Sequence, residues 1–146
     1  MSDFKLVYDW MRHSQNNLIV ARHSFYDLYP KQTEITCYLC QQCAETSLKA
    51  YLVYLNLEPP RIHNLVELCS ICIEQDNEFS AIKEYCARLT PYGVEIRYPN
   101  ELVVDEKITE QAVVMAQKVY DFCSSKIPSE NSMSGGNLHL LPESEK

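Results

Sequence analysis

The sequence predicts an all-α protein: an up-and-down bundle of about five helices with an ordered loop before the last one. Three observations carry this expectation. Apolar residues recur at three- and four-residue steps along most of the chain, the spacing that gathers them on one face of a helix. Only three Gly occur in 146 residues, two of them adjacent at Gly135 and Gly136, so the body lacks the turn chemistry of a many-stranded sheet. A hydrophobic fraction of 46% is enough for one packed core without staples, in a chain of single-domain length.

The first helix is expected over Asp3 to Leu28, with Leu6, Trp10, Leu18, Ala21, Phe25 and Leu28 toward the core and Pro30 ending it. Arg12, Asn16, Arg22 and Asp27 form its wet side, and His13 and His23, with no spaced partner, read as surface. Thr33 is the expected N-cap of a second helix running to about Leu57, where Glu58-Pro59-Pro60 stops it and imposes a stiff extended connection. Cys37, Cys40, Ala44, Leu48, Tyr51, Leu52 and Leu55 make its apolar face. On the other side Gln42, Glu45 and Lys49 stand in a row, as solvated surface or as a site.

Asn64 and Glu67 have capping-box spacing at the start of a third helix, whose buried stripe is Leu65, Leu68, Cys69 and Cys72. After the polar break Gln75-Asp-Asn-Glu78, residues Phe79, Ile82, Tyr85, Cys86 and Leu89 form a short fourth helix closed by Pro91. Between Tyr92 and Asp105 the alternation of Tyr92, Val94, Ile96 and Tyr98 is strand-like, but a lone strand has no partner, so an ordered loop over the helices is expected. Asp105 caps a last helix to about Lys126, with Ile108, Ala112, Met115, Val119 and Phe122 inward. The bundle thus spans residues 1–128. The remainder, 129–146, is rich in Ser, Asn, Gly and Glu and is expected to be disordered.

A net charge of −7 argues against a broad basic face that holds nucleic acid by counterion release, and leaves room only for a small basic pocket. No run approaches the length of a membrane span and no leader pattern is seen, so seven Cys point to reduced thiols in a cytoplasm. Cys37-x-x-Cys40 and Cys69-x-x-Cys72 have the spacing of a four-thiolate zinc site. Both pairs lie inside apolar helical stripes, however, and neither sits on a Gly-bearing turn. They therefore read as small core hydrophobes, and neither a metal nor a cofactor is expected.

Three segments in order resemble the HEPN domain family: Gln41-Gln-Cys-Ala-Glu-Thr-Ser-Leu-Lys-Ala50, Pro60-Arg-Ile-His-Asn-Leu65 and Arg97-Tyr-Pro99. The resemblance covers residues 5 to 127 and is to the small stand-alone prokaryotic members, often paired with a minimal nucleotidyltransferase in toxin–antitoxin-like systems. It implies a homodimer, with a nucleotide or RNA as ligand. Many members of the family are metal-independent ribonucleases whose signature is an Arg followed, after four to six residues, by a His, with two subunits facing each other across a cleft. Arg97 matches that Arg, yet positions 98 to 104 contain no His. Binding is therefore the expected function, and a metal-independent endoribonuclease toxin with a displaced site, His63 being its only candidate base, is the alternative.

The candidate patch is Gln42, Glu45, Lys49, His63, Arg97 and Tyr98. Lys49 and Arg97 offer charge-assisted hydrogen bonds to phosphate oxygens, and Tyr98 a stacking ring or a hydroxyl. The same residues also fit a purely structural network. Glu45 and Lys49 have ion-pair spacing, His63 can cap the third helix, and Arg97 can anchor the loop on Glu45.

Overall fold

A computed structural model describes residues 3–93 and 104–130. Five helices make the bundle: α1 (Phe4–Arg22), α2 (Thr33–Tyr54), α3 (Leu65–Gln75), α4 (Lys83–Leu89) and α5 (Glu106–Ser125). A π-helical turn, His23–Asp27, extends α1, and 3-10 turns at Asn77–Ile82 and Thr90–Tyr92 flank α4. No strand occurs among the described residues. Nor is any described helix long and apolar enough to cross a membrane.

Side-chain caps start four of these elements. Asp3, Asn64, Asp76 and Asp105 each accept a backbone N–H of the first turn, satisfying donors that a helix start leaves without partners. Gln32, not Thr33, occupies the N-cap position of α2, and it makes no side-chain cap bond. The C-terminus of α2 comes at Tyr54 rather than Leu57. Asn56 there takes the left-handed conformation (φ 63°), and the Asn56 and Leu57 N–H groups bond back to Val53 O and Leu52 O at 2.8 and 2.9 Å, a Schellman closure.

Cross-helix contacts fix the directions. Ser14 meets Ser47 and Ser24 meets Thr36, so α1 and α2 are antiparallel. Cys37 Sγ donates to Thr109 Oγ1 and Cys43 Sγ to the Ala116 carbonyl, so α2 and α5 run the same way. The connection from Leu55 to Asn64 returns alongside α2, so α3 starts level with Glu45 and again runs parallel to it, with Cys72 against Leu48 O. That return is what the Pro59-Pro60 segment accomplishes.

The central element is α2, buried from Cys40 to Val53 on almost every side. On α1 the expected inward stripe is shifted: Val7, Met11, Ser14, Leu18, Ala21 and Phe25 are buried, while Leu6 and Leu28 are exposed. Ser14 is the reason the pattern misleads. It is fully buried but polar, and its hydroxyl is satisfied by the Cys43 carbonyl at 2.9 Å and by Ser47. On α5 Ile108 is likewise exposed, and Thr109 takes the inner position with its hydroxyl bonded to Asp105 O. The stripe of α3 is as expected, whereas the expected fourth helix is divided: Phe79 and Ile82 are buried on the 3-10 turn Asn77–Ile82, and only Tyr85, partly buried, Cys86 and Leu89 lie on α4.

All seven Cys are free and buried, and no group of three or more His, Cys, Asp or Glu among the described residues is arranged to hold a metal. Burial raises the Cys43 thiol to about 11 and the Cys72 thiol to about 12. Cys69, accepting from Cys86, is instead held below its ordinary range while Cys86 is pushed up. The loop expected over 92–105 lies outside the described residues from 94 to 103, and the tail expected to be disordered lies outside them from 131. Pro128 and Ser129 are held against α1, their carbonyls accepting from the Tyr8 hydroxyl at 2.8 and 3.3 Å.

Candidate functional site

The polar row of α2 is not solvated surface. Glu45 is 5% and Lys49 7% exposed, because α3 and the returning connection cover that side of the helix. Two buried charges are tolerable only as a hydrogen-bonded pair, and Lys49 Nζ lies 3.0 Å from Glu45 Oε2. The same oxygen lies 3.0 Å from Nδ1 of His63, and Oε1 is 3.2 Å from that nitrogen.

Gln41 completes the group. Fully buried, it donates through Nε2 to Glu45 Oε1 at 3.2 Å and to the His63 carbonyl at 3.0 Å, and its own Oε1 accepts from Gln42 at 2.7 Å. Every polar atom of the Gln41 amide is thereby engaged. Gly93 rests on it: a Cβ built at that position would sit 3.0 Å from both Gln41 Cδ and Nε2. One amide thus ties together α2, the His63 turn and the turn that ends at Gly93.

Gln41 is absent from the candidate patch, since the sequence offers it only as the first residue of a motif. A signal is nevertheless present, because Gln41, Glu45 and Lys49 share one four-residue step. His63 does not cap α3; Asn64 does, accepting the Val66 and Glu67 N–H groups at 2.8 and 3.1 Å. Of the candidate residues, Gln42, Glu45, Lys49 and His63 come together, Gln42 through Gln41. Arg97 and Tyr98 lie outside the described residues.

What the arrangement can do follows from exposure. The Glu45 carboxylate is saturated by Lys49, Gln41 and His63, and it is walled off from solvent. The His63 side chain is 75% exposed. A carboxylate on Nδ1 sets the ring's orientation and leaves Nε2 to meet whatever arrives from outside.

The HEPN domain model matches residues 7–127 of the chain. The protein belongs to the HEPN domain family. The crystal structure of TT1696 from Thermus thermophilus has a similar fold, with a TM-score of 0.71 and 23% identity over 83% of this chain and 98% of that one. An archaeal HEPN homologue, ST0689, superposes with a TM-score of 0.65 at 23% identity, covering 84% of this chain and 98% of its own. No curated protein matches the chain. For this HEPN protein the family match spans α1 to α5, so the Glu45 network sits inside the family fold rather than on an appended segment.

Proposed function

We propose that this HEPN protein is a binding module. It recognises a nucleotide or RNA end, and/or docks a minimal nucleotidyltransferase, as a homodimer in a toxin–antitoxin-like pair. The observation that carries this reading is the exposed His63 imidazole held by a buried, charge-compensated Glu45. Such a scaffold presents one donor or acceptor in a fixed direction at little further ordering cost, which is what recognition of a polar ligand needs. Arg97 supplies the phosphate contact and Tyr98 the stacking ring, as the family motif implies, and Lys49 acts by keeping Glu45 in place.

The test is titration of the purified protein with AMP and with a short 5′-labelled single-stranded RNA. Arg97→Ala is expected to weaken binding by about 1 to 3 kcal/mol, the size of a lost charge-assisted hydrogen bond, with the helical circular dichroism unchanged. His63→Ala and Lys49→Ala act in the same direction. No binding of either probe by wild type, in the presence or absence of a co-expressed nucleotidyltransferase, would end the reading.

One observation favours the nuclease alternative. Nδ1 of His63 is turned to the Glu45 carboxylate, which leaves Nε2 on the exposed side of the ring, and in the neutral imidazole that nitrogen can accept a 2′-hydroxyl proton. Metal-independent RNA cleavage by wild type that disappears in His63→Ala would replace the binding module with an endoribonuclease.

A further inference from the structure

The outer face of α1 carries apolar side chains that the bundle leaves uncovered. Ile19 and Val20 are 56% and 50% exposed, and with Arg22, His23 and Asp27 they line an open groove of about 460 Å³. Tyr26, Leu28 and Tyr29, next along the chain, are exposed as well. Exposed apolar residues gathered in this way mark a surface that something covers.

The path of the chain after α5 leads toward that groove. The Tyr8 hydroxyl donates to the carbonyls of Pro128 and Ser129, and Glu130 Oε1 lies 3.7 Å from the Arg12 guanidinium. Between Pro128 and Glu130 the chain thus advances one turn along α1, from Tyr8 to Arg12, in the direction of Ile19. Arg12, Asn16, Ile19 and His23 are all exposed and recur at four-, three- and four-residue steps, so the chain runs onto the same face of α1 that carries the groove. The helix rises about 12 Å from Arg12 to Val20. Seven residues, 131–137, separate Glu130 from Leu138, and seven residues reach about 23 Å when extended.

We propose that the groove is the docking site of this chain's own Leu138-His-Leu-Leu141 segment, held in cis. In residues 131–146, whose composition is otherwise polar, this is the one place where apolar residues gather. Leucines laid on Ile19 and Val20 take apolar surface of both partners out of water. Charge favours the same placement. The leucines are followed by Glu143 and Glu145, and the first 32 residues, with four Lys or Arg against three Asp, repel them less than residues 33–130, with eight against fifteen acidic residues. The tether at Glu130 does the rest: it holds the segment at an effective concentration on the order of millimolar, so a contact too small to capture a separate protein is enough. His63 stays clear of it. Ser47 faces Ser14 on α1, and Glu45, two residues earlier, is about 200° around α2, so the groove and the imidazole lie on opposite sides of the central helix.

NMR of the full chain with labelled methyl groups tests this. Nuclear Overhauser contacts are expected between the Leu140 or Leu141 methyls and those of Ile19 or Val20. Their intensity per labelled chain should survive mixing with about a tenfold excess of unlabelled protein, since a contact made in cis is indifferent to its neighbours. In a chain carrying Leu138→Ser, Leu140→Ser and Leu141→Ser together, which leaves the bundle untouched, the amide signals of Ile19, Val20 and His23 should shift while those of Glu45 and His63 stay in place. Ile19→Ser should in turn move the Leu138, Leu140 and Leu141 methyl signals toward free-peptide positions. Contacts that fade on mixing would give the groove to the tail of a second copy and overturn docking in cis. Absence of any contact, or Ile19 and Val20 signals indifferent to the triple substitution, would overturn it as well and leave the face to another protein.

Discussion

Nδ1 of His63 lies 3.0 Å from Oε2 of Glu45, eighteen residues earlier in the chain, and Lys49 reaches the same oxygen from the next turn of α2. The carboxylate therefore has two tasks: it neutralises a buried ammonium and it aims an exposed imidazole. Its removal should show in both stability and site chemistry. Glu45→Ala is expected to cost about 3 to 5 kcal/mol in denaturant unfolding, since it strands the Lys49 charge. Glu45→Leu combined with Lys49→Met should cost less than either single change, because no unpaired charge is left behind. A double variant as damaged as the sum of the singles would count against the pair acting as a unit.

Gly93 makes a second test. Gly93→Ala places a methyl 3.0 Å from the Gln41 amide, which is pinned by Glu45, His63 and Gln42 and cannot yield freely. A loss of about 1 to 3 kcal/mol is expected, as for overpacking elsewhere. The imidazole NMR signals of His63 should shift as well. In a Gln41→Ala background the same substitution should be close to neutral, and an equal penalty in both backgrounds would show that the strain lies elsewhere.

The thiols give a pH dependence with a definite sign. Cys43 is raised by burial to about 11, so its neutral form is favoured by folding. That contribution is complete below the unfolded thiol value of about 8.5 and is lost as pH rises toward 11. Unfolding free energy measured at about pH 7, 9 and 10.5 should fall across the series, and Cys43→Ala should flatten the fall. Native protein should react with a thiol reagent far more slowly than protein in guanidinium, and elemental analysis should find no stoichiometric zinc.

At the opposite end of the bundle, Lys126 lies 2.8 Å from Asp76 and also bonds Glu78, tying the end of α5 to the break between α3 and α4. The Lys126 hydrogen bond holds the Asp76 carboxyl below its ordinary range. Its contribution is therefore present above the unfolded carboxyl value and fades as pH falls through the lower folded one. Asp76 and Glu78 in turn raise Lys126, whose contribution is full below the unfolded amine value and fades at strongly alkaline pH. Lys126→Met should lower the melting temperature at neutral pH and shrink that difference toward about pH 2. A constant difference across the acid range would remove the ion pair as its cause.

Periodicity together with the scarcity of Gly determined the all-α class and the number of helices, and periodicity set the stripes of α3 and α4, where buried positions are apolar throughout and caps such as Asn64 and Asp105 are written locally. It failed where a buried position is polar. Ser14 and Thr109 break the apolar rhythm, so spacing points Leu6, Leu28 and Ile108 inward although the outer surface takes them. The motif also placed Glu45, Lys49 and His63 among the candidate residues. Which of these a ligand can reach was decided by the tertiary structure. One-dimensional spacing tells which residues share a helix face, but whether that face is wet depends on what folds over it. Here the stiff return through Pro59-Pro60 brings His63 and α3 across the polar row, burying Glu45 and Lys49 and leaving the imidazole outside.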